Sequence, residues 1–361
     1  MEEKKLTYAE ALLLESVLAS APRRGRVLVA GNRSGVVVAE AMRCWPEASV
    51  SAHAFDFHHA RAIRDWLAES GLPVDGVRCT PAVGTGYASA LFMTTPRSMP
   101  AELVLDQLQD IYVNLEEGGE LLAAFEGDPD AALKTMKLVW PVVHVAKKAK
   151  HAVLFRAVRR GAPKKTRTFS AEWTASVPGG EALTFTSFPG CFCHRRADDG
   201  GLALAEVAAR AFAVPGAGKL RILDMGCGCG LVGLLLADAV RRAGGAPALT
   251  LVDSHARAVA ATELNAARAG LSDVELILSD DGLPRGRVGE FDVFVGNPPY
   301  YSDYRIADVF LETAYRALRP GGVCLTVVKT ATGLLALQEK WFRTAEVVRR
   351  RGYCVLRSVR A

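Results

Sequence analysis

The run FDVFVGNPPY, residues 291–300, ends an apolar strand in Asn297, Pro298, Pro299 and Tyr300. Prolines donate no backbone hydrogen bond and stop strand pairing, so this tip faces something other than a neighbouring strand. What it suits is a planar amine. An exocyclic amino group on a base or an amide is a weak nucleophile, because its lone pair is spread into the ring or the carbonyl. The side-chain oxygen of Asn297 and the carbonyl oxygen of Pro298 can each accept one N–H and draw the nitrogen towards tetrahedral geometry. The prolines hold both acceptors in place beforehand. Tyr300 offers a stacking face, worth on the order of 1–3 kcal/mol to a base. The plain alternative is an Asn-Pro-Pro turn beside a core tyrosine.

A second such run, LRILDMGCGCGLVGLLLADAV, passes from a strand through Gly226, Gly228 and Gly230 into a helix starting near Leu231. Glycines let the main chain turn sharply and let a ligand reach the helix N-terminus without meeting a side chain. Gly228, Gly230 and Gly233 also spell the GxGxxG of a dinucleotide site. Asp224 separates the two readings. A carboxylate at the last strand position points into the cofactor cleft, where it repels a pyrophosphate and attracts an ammonium or sulfonium. Two unit charges about 4 Å apart are worth about 4 kcal/mol at an effective dielectric near 20. S-adenosyl-L-methionine carries both cations. Asp253 closes the strand ALTLVD, 253 − 226 = 27 residues past the first glycine, and is placed to accept the ribose hydroxyls of either cofactor. Asp280, in LILSDD, closes a third strand and is placed for the adenine amino group or for a turn or cap.

The elements that must position these residues repeat along the chain. Its 361 residues, 50% hydrophobic and 23% charged, are an ordinary globular composition long enough for two cores. RGAPKKTRT, residues 160–168, has the glycine, proline and charge of a linker, and divides the chain into residues 1–162 and 163–361. Gly31 and Gly35 match Gly226 and Gly230 at an offset of 195, Asp56 matches Asp253 at 197, Gly71 matches Gly270 at 199, and Gly118 and Gly119 match Gly321 and Gly322 at 203. The offset only grows, as loop insertions would make it. The order of signals is that of a doubly wound α/β unit, giving two tandem Rossmann-like domains, each with a mostly parallel sheet. Between them, residues 166–196 alternate apolar and polar around a turn at 178–180, which predicts antiparallel strands leading into the second domain.

The excluded classes are few. The longest apolar run is too short for a bilayer and the N-terminus is no signal peptide, so the chain is expected in the cytoplasm with no membrane partner. Cys191 with Cys193, and Cys227 with Cys229, leave one residue between thiols where zinc pairs usually leave two to four. The eight cysteines therefore read as free thiols, and no metal is expected. The net charge of +5 is concentrated in clusters, chiefly Lys147, Lys148 and Lys150, then Arg159, Arg160, Lys164, Lys165 and Arg167, which suit a phosphate backbone.

With these motifs the chain resembles the class I methyltransferases that modify amino groups. Its second half, from about Thr168 to Arg360, is similar to the ribosomal RNA guanine-N2 methyltransferases of the RsmC and RlmG type, through TFTSFPGCFCHRRADDGGLAL, ILDMGCGCGLVGLLLA, VDSHARAVAATELNA and FDVFVGNPPYY. That family pairs an N-terminal methyltransferase-like domain that has lost its chemistry with a working C-terminal one, so the resemblance spans essentially the whole chain. It implies that Asp224, Gly226, Asp253 and Asn297 line the cofactor cleft and that residues 297–300 hold the guanine. Two departures stand out: Tyr300 and Tyr301 replace a common Phe and His, and Phe192, Cys193 and His194 replace Phe-Ser-Arg. NPPY also serves adenine-N6 and glutamine-N5 enzymes, which stay open as alternatives. A third, from another class, is a catalytically inactive RNA-binding or assembly factor. In the first half the chemical positions become Val29, Arg33, Thr94, Thr95 and Arg97, so it is expected to bind no cofactor, to stabilise its neighbour and to grip RNA. The expected particle is a monomer with RNA as its partner.

Overall fold

A computed structural model describes residues 6–31, 33–94, 99–163, 165–178, 180–216, 218–283, 286–299 and 304–361. Tyr300 and Tyr301, and in the first half Thr95 and Arg97, lie outside the described residues. Two compact units divide after Phe169. The division falls 169 − 162 = 7 residues later than the linker composition predicts, because the linker packs back on the first unit. The Gln109 side chain accepts from the Arg167 N–H at 2.8 Å and donates to the Arg167 carbonyl at 2.9 Å, and the Tyr112 hydroxyl donates to the Arg160 carbonyl at 2.9 Å.

The first unit runs α1 (Tyr8–Ala19), β1 (Gly25–Ala30), α2 (Val36–Cys44), β2 (Ala48–Ala54), α3 (Phe57–Glu69), β3 (Val77–Cys79), β4 (Tyr87–Thr94), α4 (Ala101–Asn114), β5 (Leu115–Glu126), α5 (Pro129–Lys137), β6 (Val143–Lys148) and β7 (Ala152–Val158). The second opens with a hairpin, β8 (Ala171–Ala175) and β9 (Leu183–Ser187), and continues through α6 (Asp199–Phe212), β10 (Lys219–Met225), α7 (Leu231–Arg242), β11 (Ala246–Asp253), α8 (Ala256–Arg268) and β12 (Val274–Leu278). It ends in β13 (Phe291–Gly296), α9 (Arg305–Ala317), β14 (Leu318–Val328), α10 (Thr332–Phe342), β15 (Glu346–Arg350) and β16 (Tyr353–Val359).

The two seven-stranded sheets have one order: β3-β2-β1-β4-β5-β7-β6 and β12-β11-β10-β13-β14-β16-β15. The first five strands of each are parallel to their neighbours and the last two antiparallel. Strands such as LTLV and FVFV read as unbroken apolar runs because helices cover both sheet faces. In the second unit α6, α7 and α8 supply one core, and α9 and α10 the other. The predicted hairpin is present, with Ala171 opposite Ser187 and Trp173 stacked on Phe185 at 4.8 Å.

The Gly-Gly pairs differ from expectation in an informative way. They lie inside β5 and β14 rather than in turns before them. In each strand the register jumps there, from Tyr87↔Leu115 to Ser89↔Glu120 and from Phe291↔Leu318 to Val293↔Val323. Gly118 and Gly321 both have φ of 79°, and each donates its N–H to an arginine carbonyl, that of Arg159 at 3.1 Å and that of Arg360 at 2.8 Å. The guanidinium of each arginine returns to the carbonyl that opens the strand, at Leu115 and at Leu318. Matching irregularities of this detail carry the repeat further than the shared order does.

Candidate active site

The central strand β10 lies between β11 and β13, with Met225 opposite both Val252 and Gly296. This register sets the glycine turn after β10 beside the Asn297 tip after β13, and the acid that ends β11 on the turn's other side. All three therefore meet at the C-terminal edge of the parallel strands, where ligands of open α/β sheets bind.

The turn is held from several directions. The N–H groups of Gly226 and Cys227 donate to the Val252 carbonyl at 2.8 and 3.1 Å, and the Gly228 N–H donates to Asp253 Oδ2 at 2.8 Å. From α8, Thr262 Oγ1 donates to the Gly228 carbonyl and Asn265 Nδ2 to the Cys229 carbonyl, both at 2.9 Å. Asn265 also pairs in both directions with the main chain of Thr186 on β9, at 2.7 and 2.9 Å, so one buried amide ties the hairpin to the turn. Gly228 has φ of 59°, which side chains rarely adopt, and a Cβ there would meet nothing within 4 Å. It faces open space. Gly230, also left-handed, caps α7.

Each predicted acid has a definite place. Asp253 Oδ1 accepts from the His255 N–H at 2.8 Å, so the two main-chain bonds fix the carboxylate at the strand end. Asp280 lies two residues beyond β12 rather than closing it, in a bend where the Ser279 hydroxyl donates to Asp281 at 2.8 Å. Asp224 departs most from expectation. It is the penultimate residue of β10, only 2% exposed, and its Oδ2 accepts from the Gly233 N–H of α7 at 2.8 Å. The carboxylate therefore lies under the first turns of α7 rather than in an open cleft. A Cβ at Gly233 would come within 2.8 Å of it, which accounts for that glycine. Burial pushes the Asp224 carboxyl up to about 7, helped by the nearby Asp253 charge and opposed by the Gly233 bond.

At the β13 tip Asn297 is half-buried, Pro298 buried and Pro299 half-buried. Asn297 Nδ2 donates to Asp198 Oδ2 at 2.9 Å. Asp198 is the N-cap of α6, and the same oxygen accepts from the Gly201 N–H at 2.6 Å, while the Cys193 thiol donates to Oδ1 at 3.6 Å. Burial, with Asp198 beside it, pushes the Cys193 thiol up to about 11, so it remains a donor at neutral pH. Cys193 and Arg195 both take left-handed φ, 50° and 78°, on the approach to the cap. Sequence reasoning passes over Asp198, Thr262 and Asn265. DDGG before an apolar helix does signal a cap, but not that the cap reaches Asn297, 99 residues away.

All eight cysteines are free, and among the described residues no group of three or more His, Cys, Asp or Glu could hold a metal. No helix of the described residues is long and apolar enough to cross a membrane. The residues fit S-adenosyl-L-methionine. Gly228 leaves an open cradle, Asp253 stands at its rim, and Asp224 is a buried acid whose ionisation a neighbouring cation would favour.

Comparison with known proteins agrees. Residues 182–357 match the family model described as "Methyltransferase small domain". The chain is 30% identical over 237 residues to the ribosomal RNA small subunit methyltransferase C of Marinomonas sp., covering 63% of this chain and 64% of that one. It is 34% identical over 181 residues to the enzyme of the same name from Pseudomonas paraeruginosa, covering 48% of this chain and 50% of the relative. The first-named relatives are thus matched over about half to two thirds of their length. A ribosomal RNA large subunit methyltransferase G from Pseudomonas aeruginosa is 28% identical over 90% of this chain and 84% of its own. Among solved structures, the T. thermophilus 16S rRNA N2 G1207 methyltransferase (RsmC), in complex with AdoMet and guanosine, superposes with a TM-score of 0.77 at 20% identity, covering 99% of this chain and 93% of that one. This shows the tandem fold. A sheet of this order with a glycine turn on its central strand is the build of the class I S-adenosylmethionine-dependent methyltransferases, and the second unit is one of them. Within that class the chain belongs to the ribosomal RNA methyltransferase family of the RsmC and RlmG type.

Proposed function

We propose that the second unit transfers a methyl group from S-adenosyl-L-methionine to the exocyclic N2 amino group of a guanine in ribosomal RNA. The observation that carries this reading is the register Met225↔Gly296, which seats the Asn297 acceptor beside the glycine turn. When bound, the cofactor supplies a methyl group on a sulfonium. Asp224, Gly226, Gly228, Gly230, Asp253 and Asp280 hold it, with Asp253 for the ribose hydroxyls, Asp224 for the cationic end and Asp280 for the adenine. Asn297 Oδ1 and the Pro298 carbonyl accept the two N–H bonds of the amine and turn its lone pair out of conjugation, with Pro299 stiffening the tip and Tyr300 stacking on the base. The positioned nitrogen becomes acidic once alkylated, so no strong base is required. An unstacked guanine in a loop is the substrate such a tip reaches. The relatives' names and the guanine target of the T. thermophilus neighbour support the substrate class.

The first unit is read as non-catalytic. Val29, fully buried, stands where Asp224 stands in the second unit, and Arg33 where Gly228 does. The Met93 carbonyl presses so close to Gly31 that a Cβ there would lie 1.9 Å from it. The reading makes the protein a cytoplasmic monomer that needs no metal, grips RNA with its first unit and modifies it with the second.

Incubation with radiolabelled cofactor and rRNA or ribosomal subunits, followed by nucleoside mass spectrometry, should yield N2-methylguanosine. Label on adenine, on a protein glutamine, or nowhere would overturn the reading.

A further inference from the structure

The geometry points to Asp198 as a positioning residue that sets which way the Asn297 amide faces, and so which atom the substrate amine meets. This rests on the proposed amine chemistry of the β13 tip and adds a residue to it. An asparagine amide has two nearly isosteric ends, one accepting and one donating. Only the accepting end can take an N–H from an amine. Which end faces outward is decided by what holds the other. A carboxylate is acceptor-only, so with Asp198 Oδ2 at 2.9 Å the NH₂ end must turn inward, and Oδ1 is left for the substrate. The flipped amide would set two oxygens at hydrogen-bond distance from each other with no proton between them. Asp198 is itself immobile. It caps α6 through the Gly201 N–H at 2.6 Å, and the Cys193 thiol occupies its second oxygen at 3.6 Å. A Cβ at Gly200 or Gly201 would approach its carboxylate to 3.1 or 3.3 Å, so the helix start is built closely around it. The inference explains why an acid, rather than any capping residue, stands there: serine, threonine or asparagine would cap equally well, but each can donate as well as accept.

Asp198→Asn tests it, because asparagine keeps the cap while removing the fixed polarity. The expected result is a kcat at least tenfold lower, with cofactor affinity by calorimetry within threefold of the parent and thermal stability nearly unchanged. A role confined to capping would give the reverse, a lower melting temperature with kcat of the folded enzyme intact. The exchange variant Asp198→Asn/Asn297→Asp restores a donor–acceptor pair and leaves an acceptor facing outward. It should exceed both single variants in kcat. A kcat for Asp198→Asn within twofold of the parent, or an exchange variant no better than the worse single variant, would overturn the inference. An activity-independent readout separates this from the proposed function. In the parent, the Asn297 side-chain amide proton held by Asp198 should be shifted downfield and protected from exchange in ¹H–¹⁵N spectra, and in Asp198→Asn that protection should be lost. Parent protein that methylates no rRNA but shows the protected amide sinks the function and leaves the Asp198 assignment standing; an unprotected amide in the parent sinks the assignment.

Discussion

Asp224 is the residue whose placement has the sharpest physical consequence. Its carboxyl, pushed up to about 7 by burial from an ordinary 3.8, binds its proton more tightly folded than unfolded. Its contribution to stability is therefore favourable at low pH and declines as pH rises from about 4 through about 7, the reverse of a salt-bridged acid. A cation beside it favours the ionised form, so cofactor binding should release a proton. Affinity for S-adenosyl-L-methionine should rise by up to about tenfold per pH unit below about 7 and flatten above it. Asp224→Asn should abolish that slope, weaken binding by roughly 10- to 100-fold, and raise the melting temperature of the cofactor-free protein above pH 7 by a few degrees. Calorimetry between about pH 6 and 8 in buffers of different ionisation enthalpy checks both; a slope surviving in Asp224→Asn removes the residue from the cofactor's surroundings. Cys227 and Cys229, whose thiols burial pushes upward, should by the same argument resist alkylation in the native protein.

At the level of elements, the glycine turn separates folding from binding. Gly228→Ala has room for its methyl group and costs only the left-handed backbone, about 1 kcal/mol, whereas Gly228→Arg puts into the second unit what Arg33 puts into the first. Both should leave melting temperatures within a few degrees of the parent, and Gly228→Arg should reduce cofactor affinity at least 100-fold. Unchanged affinity for the arginine variant would show that the open side of the turn is not the cofactor's side. Much of this is legible in the sequence. Strand order follows from glycines and acids at a slowly growing offset, because those residues answer to local backbone needs. What escapes depends on contacts between distant segments. Asp198 reads as a cap until the fold brings β13 to it, and Asn265 reads as one more helical residue until it is found bridging Thr186 and Cys229. Asp224 stands out in the sequence yet reads as open to a cleft, because a sequence shows a strand's last residues and not the helix that covers them.

Across the whole molecule, charge is the feature that separates the two units. Between Asp130 and Glu172 lie 172 − 130 − 1 = 41 residues with eleven lysines and arginines and no acid. They form α5, the edge strand β6, β7 and the linker. Lys147 pairs with Glu15 and Arg156 with Glu120, but Lys148, Lys150, Arg160 and Lys165 are exposed and make no ion pair among the described residues. The matching edge of the second unit is neutralised instead, Arg350 and Arg351 sharing the buried Glu206. If the first unit grips RNA, it does so here. Lys148→Glu/Lys150→Glu should weaken rRNA binding by about tenfold or more and lower the slope of log affinity against log salt by about 2, with cofactor affinity unchanged. Filter binding at several salt concentrations reads this out, and a slope equal to the parent's would move the RNA to another face.

The Met93 carbonyl against Gly31 gives the duplication a direction in time. Substituted side chains can revert one codon at a time, but this obstruction is main chain, locked by the pairing of Ala30 with Phe92 one residue back on each strand. Putting an acid back at Val29 and a glycine back at Arg33 would leave that oxygen where it is. The silent copy has drifted past the point from which point mutations could wake it, and selection can now reshape its strand tips for grip alone.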